Sequence, residues 1–401
     1  MNDIRPIRAT SGTNQEGASA HNRRVIVDAL RLNGPLSRAD LARATRLTKQ
    51  TVSNIIEELE QDGLVASGAV VRKGRGQPST PYELVPAGAF AIGLQIDRHL
   101  ARAIAVDLVG SVHVHVEAKL PAGGPSSGVE VVLALVDNAR RQLQLVFPQS
   151  EDRLVGLGLA MPGPFGLKQE GDDPWMMAAW QAFPLLETLS AGTGLAVSLQ
   201  NDAAAAATAE RIVGAAHGLD HAVCLYLGYG LGAGLIINGE LYNGANGNAG
   251  EIGMALLGGP DRYTALEHRA SLASLYQHLT LDAADPALRD TIDRLAMDRD
   301  VRLLSWVEEA AANLRWSVHL IETLFDPETV ILCGGAPKAL GECLIKAMEP
   351  LLTSIADRPD RRLPRLQLGL TDPWSVALGA AAAPIGQTFD PRFSAIWKMS
   401  K

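Results

Sequence analysis

Apolar residues in the first 84 positions follow the three- and four-residue spacing of helices, in three short segments. Residues 22–32 carry the first apolar face, and residues 33–35, which contain glycine and proline, end that segment. Ser37 and Thr48 are placed to cap a second and a third helix, because hydroxyl groups accept hydrogen bonds from free backbone N–H groups. The apolar face of the third helix consists of Val52, Ile55, Ile56 and Leu59.

A pair of short strands with a basic tip is predicted after the third helix. Residues 64–71 predict one strand, residues 82–84 predict its partner, and the connection is rich in glycine and positive charge. Two helices with a tight turn and a following β-hairpin form a winged helix-turn-helix. We therefore interpret residues 21–84 as a winged helix-turn-helix DNA-binding domain and residues 1–20 as a flexible tail.

The side chains expected to contact DNA lie at the start of the third helix and in the wing. Gln and Asn can hydrogen-bond adenine edges, whereas Lys and Arg can reach guanine or phosphate. The predicted DNA-contacting residues are Thr48, Lys49, Gln50, Thr51, Ser53 and Asn54 on the helix and Arg72, Lys73 and Arg75 in the wing. Helix-turn-helix shapes also serve as protein-interaction modules, but a basic wing at the expected position favours DNA.

From residue 90 onward the apolar runs are typical of buried strands. Residues 91–96, 101–108 and 111–118 predict a three-stranded meander, and residues 222–227 and 234–237 open a second one. Helical segments follow each meander. This order predicts a duplicated α/β unit that closes on a central cleft.

Charge is distributed unevenly along the 401 residues. The net charge is −8, but residues 1–90 hold 12 Lys+Arg and 9 Asp+Glu, so they carry +3 and the remainder carries −11. A basic head on an acidic body fits local contact with DNA phosphates and repulsion of DNA elsewhere.

The three cysteines, Cys224, Cys333 and Cys343, have neither metal-ligand nor redox spacing, and we expect buried apolar residues of a reducing cytosol. The apolar runs are too short and too often interrupted to span a membrane. The first 20 residues lack the apolar region of a signal peptide. We therefore expect a cytoplasmic protein without a membrane partner.

Candidate chemistry begins where residues 195–200, a predicted strand, give way to Asn201 and Asp202 at the start of an alanine-rich helix. Asp202 is either a helix cap or a general base and hydroxyl acceptor, and the residues alone leave both open. Glu251 and Glu267 are further carboxylate acceptors.

Taken together, six segments resemble the ROK family, whose name joins repressors, open reading frames and kinases of sugars. The resemblance covers nearly all of the chain, and the serial order is far more specific than any single segment. The segments are, in chain order, residues 158–164 (Gly-Leu-Ala-Met-Pro-Gly-Pro), 201–204 (Asn-Asp-Ala-Ala), 228–234 (Gly-Tyr-Gly-Leu-Gly-Ala-Gly), 249–253 (Ala-Gly-Glu-Ile-Gly), 266–267 (Leu-Glu) and 332–336 (Leu-Cys-Gly-Gly-Ala).

The resemblance implies an α/β body with a two-lobed actin-like, hexokinase-like ATPase fold and a sugar in the cleft. We expect lobe I to comprise residues 90–200 with 383–401, and lobe II residues 201–382. In family kinases the residue matching Asp202 takes a proton from a sugar hydroxyl. The residues that the resemblance assigns to sugar binding here are Asn201, Asp202, Glu251 and Glu267.

The chain departs from the family kinases in the first hairpin turn, where they carry Asp-x-Gly-Gly-Thr. Residues 95–99 read Gln-Ile-Asp-Arg-His, so a carboxylate that would face Mg²⁺ is replaced and small residues become bulky. Phosphoryl transfer depends on positioning and charge neutralisation. We therefore expect neither catalytic residues nor a nucleotide cofactor, although Asp97 leaves a shifted metal role conceivable.

A second departure concerns zinc. Family members often carry a His and a cysteine-rich loop, whereas Met254 occupies the His position and residues 258–265 contain no Cys. Structural zinc normally needs four ligands, so we predict no metal. We expect local packing by Met254, Tyr263 and Leu266 to hold Glu267 instead.

Three functions remain open on these grounds. The favoured one is a sugar-responsive transcriptional regulator, most often a repressor in this family, which binds operator DNA as a homodimer or a dimer of dimers. The alternatives are an active sugar kinase with an attached DNA-binding head, and a DNA-binding scaffold whose cleft has decayed. Converging carboxylates favour a neutral sugar over a sugar phosphate as the effector.

Overall fold

The computed structural model describes residues 15–70, 79–166, 177–259 and 262–389. These residues divide into two compact units. The first unit comprises residues 15–89 together with 385–389, and the second comprises residues 90–384.

The first unit is a helix-rich domain with a small antiparallel sheet. Its elements are α1 Gln15–Asn33, β1 Leu36–Ser37, α2 Arg38–Thr45, α3 Lys49–Gln61, β2 Val65–Ser67 and β3 Pro81–Leu84. Strand β3 lies between β1 and β2 and pairs with both in antiparallel register. Three helices with a β-hairpin after the third form the predicted winged helix-turn-helix.

Capping and burial in this unit follow the predicted pattern. The Ser37 hydroxyl accepts a hydrogen bond from the backbone N–H of Asp40 at 3.2 Å, and the Asp40 carboxylate accepts one in return from the Ser37 N–H. The Thr48 hydroxyl accepts from the N–H of Thr51 at 3.1 Å. The four apolar residues predicted for the inner face of α3 are all buried. Helix α3 is therefore held at both its start and its inner face, which leaves its other face exposed.

Two boundaries of this unit differ from the sequence prediction. Helix α1 begins at Gln15, so residues 15–20 are helical, and their assignment to a flexible tail is wrong. The apolar face of the helix extends through Ile26 and Leu30, and burial of that face stabilises the turns before it. Strand β2 ends at Ser67, and residues 71–78, which include Arg72, Lys73 and Arg75, lie outside the described residues.

The second unit begins with a five-stranded sheet. Its elements up to the cleft are β4 Phe90–Ile96, β5 Leu100–Asp107, β6 Val112–Lys119, α4 Pro125–Val146, β7 Leu154–Met161, α5 Ala178–Ala182, α6 Leu185–Thr193, β8 Val197–Asn201 and α7 Asp202–Val213. The strand order is β6-β5-β4-β7-β8. Strands β4, β5 and β6 form the predicted antiparallel meander, and β7 and β8 extend it in parallel.

A second five-stranded sheet repeats this arrangement. The remaining elements are β9 His221–Leu227, β10 Leu231–Ile237, β11 Glu240–Tyr242, β12 Leu256–Gly259, β13 Arg262–Ala265, α8 Glu267–Ala270, α9 Leu272–Leu279, α10 Leu288–Met297, α11 Val301–Phe325, β14 Thr329–Gly334, α12 Lys338–Met348, β15 Leu366–Leu368 and α13 Ser375–Phe389. The order β11-β10-β9-β14-β15 again joins an antiparallel meander to two parallel strands. The predicted duplicated α/β unit is therefore present.

Glycines bring helices close to both sheets. A Cβ on Gly234 of β10 would lie 2.2 Å from the Ala207 Cβ of α7, and a Cβ on Gly93 of β4 would lie 1.9 Å from the Ala377 carbonyl oxygen of α13. Helix α7 thus packs on the second sheet and α13 on the first. Helix α13 contacts the first sheet at Ala377, which lies before residue 383, where the return to lobe I is predicted. The lobe ranges themselves stay a prediction.

No helix within the described ranges is long and apolar enough to cross a membrane.

Candidate functional site

The cleft between the two sheets contains a cavity of about 170 Å³, which we call the acidic pocket. All four residues predicted to bind sugar, Asn201, Asp202, Glu251 and Glu267, line this pocket. They come from the end of β8, the start of α7, the loop before β12 and the start of α8. The structure therefore brings together residues that are separated by up to 66 positions along the chain.

Asn201 and Asp202 are positioned by the start of α7. Asn201 is the N-cap, and its side-chain oxygen accepts a hydrogen bond from the Ala203 N–H at 2.7 Å. The capping role that Asp202 might have had thus belongs mainly to its neighbour, although one Asp202 oxygen also accepts from Ala203 at 2.8 Å. The other Asp202 oxygen takes no part in this cap and is available to a ligand that donates a hydroxyl proton.

The two sides of the acidic pocket meet at a hydrogen bond between Asn201 and Glu251. The Asn201 side-chain N–H donates to Glu251 Oε1 at 2.9 Å. Gly163, in the loop after β7, permits this contact, because a Cβ there would lie 2.5 Å from Asn201 Nδ2 and 2.7 Å from Glu251 Oε1. The Pro-Gly-Pro segment of residues 162–164 therefore acts as a close-fitting wall.

A second polar contact joins the loop after β7 to the loop that carries Glu251. The Asn248 side chain accepts a hydrogen bond from the Phe165 N–H at 2.9 Å and donates one to the Phe165 carbonyl oxygen at 3.0 Å. A two-bond contact of this kind fixes the relative position of two backbones. Asn248 is not predicted from the sequence, because an asparagine in a glycine-rich loop carries no signal that separates such a clamp from an ordinary turn residue.

Glu267 lies at the back of the pocket and is only 9% exposed. Leu266 beside it is fully buried, as expected, but Met254 and Tyr263 are 47% and 58% exposed. The expectation that these two side chains pack around Glu267 is therefore wrong. The pairing of β12 with β13 and a hydrogen bond from the Leu266 N–H to the Ala255 carbonyl at 2.9 Å hold this region instead.

Burial makes the pocket carboxylates unusually weak acids. Desolvation, together with the charges of Asp202 and Glu267, raises the pKa of Glu251 to about 7. Desolvation raises the pKa of Glu267 to about 7 and that of Asp202 to about 6, although the nearby Arg98 guanidinium lowers both. Near neutral pH the pocket therefore offers both carboxylate acceptors and carboxyl donors to a polyhydroxyl ligand.

Arg98 also lines the acidic pocket, and it contributes the positive charge among the described lining residues. It lies in the turn between β4 and β5, and its side chain is 5% exposed. Its guanidinium donates to Asp97 Oδ1 at 2.7 Å and lies 4.3 Å from the centre of the Tyr229 ring. The sequence predicts Arg98 only as an obstacle to phosphate, because the direction of a turn side chain is not encoded in local spacing.

The same turn borders a larger cavity of about 340 Å³. The backbone N–H of Arg98 donates to Asp97 Oδ1 at 2.8 Å, so this donor is already engaged by the protein's own carboxylate. Gln95 lines the same cavity, is 5% exposed, and its side-chain oxygen has no hydrogen-bond partner among the described residues. The turn thus presents a carboxylate and an amide oxygen where a phosphate would need donors.

The residues of the first unit that are predicted to contact DNA from a helix lie at the start of α3. Lys49, Gln50 and Asn54 are exposed, and the Gln50 side-chain N–H donates to the Asn54 side-chain oxygen at 2.8 Å. Thr51 and Ser53 are half-buried, and Thr48 is occupied with capping. Arg46, which adopts a left-handed conformation with φ of 58° in the turn before α3, is exposed beside them and was not predicted. Six predicted DNA contacts therefore share one end of one helix.

Within the described ranges, no group of three or more His, Cys, Asp or Glu side chains is arranged to hold a metal ion. The prediction that the chain binds no metal stays a prediction.

Comparison with known proteins places both units. Residues 91–383 match the ROK family, and residues 25–76 match the MarR family. The xylose repressor of Bacillus subtilis (strain 168) is 26% identical over 322 residues, which are 78% of this chain and 81% of that repressor.

Two solved structures share the fold. The crystal structure of a ROK family transcriptional regulator, a homologue of the E. coli MLC protein, has a TM-score of 0.69 at 20% identity and covers 93% of this chain and 97% of its own. The ROK hexokinase from Thermus thermophilus has a TM-score of 0.54 at 26% identity, with 73% and 96% covered. The first unit is thus a MarR-type winged helix, the second has the actin-like, hexokinase-like fold, and the chain belongs to the ROK family.

Proposed function

We propose that this protein is a sugar-responsive DNA-binding transcriptional regulator of the repressor type, whose kinase-like body binds a sugar without phosphorylating it. The observation that carries the proposal is the combination of an intact acidic pocket with a neighbouring turn that is filled by its own side chains. The first feature suits a hydroxyl-rich ligand, and the second opposes a nucleotide triphosphate.

The DNA-binding part of the proposal is supported by the first unit. Lys49, Gln50 and Asn54 are exposed at the start of α3, where the recognition helix of a winged helix-turn-helix meets base edges. We assign base contacts to these residues and to Thr51 and Ser53, and phosphate contact to Thr48. Arg72, Lys73 and Arg75 are proposed to reach the backbone or the minor groove from the wing.

The ligand-binding part is supported by the acidic pocket. Asn201, Asp202, Glu251 and Glu267 surround one small cavity with both donors and acceptors of hydrogen bonds. The similarity to a xylose repressor of Bacillus subtilis along most of both chains makes a pentose or hexose the natural first candidate. With three carboxylates and one guanidinium that is already paired with Asp97, the pocket favours a neutral sugar over a sugar phosphate.

The absence of phosphoryl transfer is supported by the turn between β4 and β5. Gln95 lacks the charge that would face Mg²⁺, and Asp97 engages the Arg98 backbone N–H that a phosphate would need. Positioning and charge neutralisation carry nearly all of the rate in this reaction, so their loss is expected to cost several orders of magnitude.

A dimer is proposed as the functional form. Paired winged helices would read half-sites about 34 Å apart, and closed twofold symmetry supplies that pairing. We propose a homodimer or a dimer of dimers in the cytoplasm. Binding of a sugar would change the distance between the two DNA-binding units of the dimer. It can do so only if the sugar binds one conformation of the dimer more tightly than the other.

The direct test is a gel shift on the DNA upstream of the protein's own operon, with and without D-xylose and D-glucose. We expect specific binding of the wild-type protein and a change of about 5- to 100-fold in DNA affinity with the effective sugar. The Asp202→Asn variant should bind the same DNA and lose the response to sugar. Failure to bind this DNA would overturn the DNA-binding part of the proposal. Binding that neither sugar alters would overturn the sugar-response part.

A second candidate function, ATP-dependent sugar phosphorylation, is favoured by Asp202 and the glycine-rich turn of residues 228–234. Incubation with ATP, Mg²⁺ and a panel of hexoses and pentoses tests it. We expect no product above the background rate. Turnover that disappears in the Asp202→Asn variant would establish the kinase and overturn our choice.

A further inference from the structure

Two cavities adjoin in the cleft, and only two residues are common to their described linings. The acidic pocket, of about 170 Å³, and the larger cavity, of about 340 Å³, share Arg98 and Tyr226. These two side chains therefore form the partition between the cavities.

Tyr226 is the fixed half of this partition. It lies within β9, is 6% exposed, and pairs with both β10 and β14 through its backbone. Its ring packs against Gly228, where an added Cβ would lie 2.5 Å from the ring. A residue that pairs with strands on both sides and has such tight contacts has little freedom to move.

Arg98 is the half that could be altered without disturbing a sheet. It lies in the turn between β4 and β5, so its backbone is outside both strands. Its guanidinium spans the cleft, since Asp97 belongs to the first hairpin and Tyr229 to the turn of the second. An ion pair with Asp97 and a cation–π contact with Tyr229 hold this largely buried side chain in position.

We infer that Arg98 is the specificity-determining residue of the acidic pocket. Its guanidinium closes the end of the pocket beside Asp202 and limits the ligand to a single sugar unit that is unsubstituted at that end. The inference rests on the proposed sugar-binding function and adds to it a size limit and the side chain that sets it.

The physical basis is steric and electrostatic. A substituent on the ligand hydroxyl nearest Asp202 would have to displace a buried guanidinium from its carboxylate and from the Tyr229 ring. Overfilling a well-packed site typically weakens it by about 1–3 kcal/mol, which corresponds to about 5- to 150-fold in affinity. Removal of the side chain beyond Cβ would open the acidic pocket into the larger cavity and relieve that restriction.

The test compares three neutral ligands, D-glucose, 6-O-methyl-D-glucose and methyl α-D-glucoside, by calorimetry. Their equal charge isolates size, and the two methyl groups probe opposite ends of one sugar. For the wild-type protein we expect one methylated sugar to bind about 10- to 100-fold more weakly than glucose. In Arg98→Ala that ratio should fall below about 3, with no comparable change for the other methylated sugar.

Two further variants separate shape from charge. Arg98→Met keeps most of the side-chain length without the charge, and it should retain most of the discrimination. Arg98→Lys keeps the charge but loses the planar contact with Tyr229, and it should discriminate less than the wild type. Equal discrimination in Arg98→Ala and the wild type would overturn the inference.

A crystal structure of Arg98→Ala tests the partition without any ligand. We expect one continuous cavity from Glu251 to Gln95, and two separate cavities would contradict the assignment. If the wild-type protein binds none of the three sugars while the variant shows the merged cavity, the choice of sugar fails and the role of Arg98 as the partition stands.

Discussion

The two sheets of the second unit present equivalent hairpin turns to the cleft, and the turns differ in what they contain. The turn between β9 and β10 has kept Gly228 and Gly230, whereas the turn between β4 and β5 carries Asp97, Arg98 and His99. In the glycine turn the backbone closes on itself and on α9, with Gly228 N–H donating to the Gly230 carbonyl at 3.0 Å. In the other turn a carboxylate and a guanidinium satisfy each other.

On the proposed function, this difference would explain how a kinase-like cleft binds a sugar without transferring phosphate to it. Glycines of the second hairpin allow close approach to the pocket: a Cβ on Gly230 would lie 3.1 Å from a Glu267 carboxylate oxygen, and a Cβ on Gly232 would lie 2.9 Å from the Ala203 Cβ, next to Asp202. The filled turn replaces donors that would bind an external phosphate with internal partners. We propose that ligand binding and phosphoryl transfer depend on different turns, so that one could be lost without the other.

The largest effect is expected on the free energy of unfolding, when a glycine in the strand that packs against α7 is replaced. In Gly234→Ala the new Cβ would lie 2.2 Å from the Ala207 Cβ and 2.6 Å from the Ala203 carbonyl oxygen. We expect the free energy of unfolding to fall by about 3 kcal/mol, measured by urea denaturation. Gly335→Ala is the matched control, because its nearest contact would be 3.8 Å, and it should cost less than about 1 kcal/mol. An equal loss of unfolding free energy in the two variants would show that Gly234 is not needed for the close packing of α7.

The next largest effect is expected on the affinity for sugar, when one carboxylate of the acidic pocket is replaced. Asp202→Asn should weaken binding of the effective sugar by about 2–3 kcal/mol, or about 30- to 150-fold, because a hydrogen bond to an ionised acceptor is lost. The melting temperature without ligand should not fall, since the variant removes a buried charge. Glu342→Gln, at an exposed ion pair with Lys338, is the control and should leave affinity unchanged. Undiminished binding by Asp202→Asn would exclude this residue from the site.

A third effect is a dependence of stability on pH. Burial raises the pKa of Glu251 and Glu267 to about 7, from an ordinary value of 4.5, so both groups hold protons more tightly in the folded protein. Their contribution to the free energy of unfolding is therefore most favourable below their ordinary pKa of 4.5, and it is lost as the pH rises from there through about 7. We expect these groups to lower the free energy of unfolding by about 2 kcal/mol between pH 5 and pH 8. Glu251→Gln should reduce that slope, and an unchanged slope would contradict the assignment.

The smallest effect is expected in the first unit. Gln50→Ala should weaken specific DNA binding by about 1–2 kcal/mol, and Lys49→Ala should also reduce the dependence of affinity on salt. Neither variant should alter the affinity for sugar, because both side chains lie on α3. Lys338→Ala, an exposed cation of the second unit, is the control for non-specific charge. A loss of DNA binding in the control equal to that in Lys49→Ala would point to non-specific electrostatics.

Much of the fold could be predicted from the sequence, because its signals are local. Capping residues such as Ser37 and Thr48, the inner face of α3 and the two meanders follow from side-chain periodicity and hydrogen-bonding groups. The order of short segments also predicted which acids meet in the cleft.

The remaining features depend on contacts between distant segments. The clamp of Asn248 on Phe165 and the position of Arg98 over Tyr229 are set by tertiary structure, and neither has a periodic signature. The predicted packing of Met254 and Tyr263 around Glu267 failed for the same reason, since the exposure of these two side chains is decided by the tertiary fold and has no local signal.

We propose that a sugar in the acidic pocket changes the affinity of the protein for DNA and that this change needs no phosphoryl donor. The most direct measurement is the affinity of the purified protein for its upstream DNA at a saturating concentration of the effective sugar, with and without Mg²⁺ and ATP, while sugar phosphate is quantified. We predict the same change in DNA affinity in both conditions and no sugar phosphate. A response that requires ATP, or sugar phosphate that accumulates with turnover, would contradict the account.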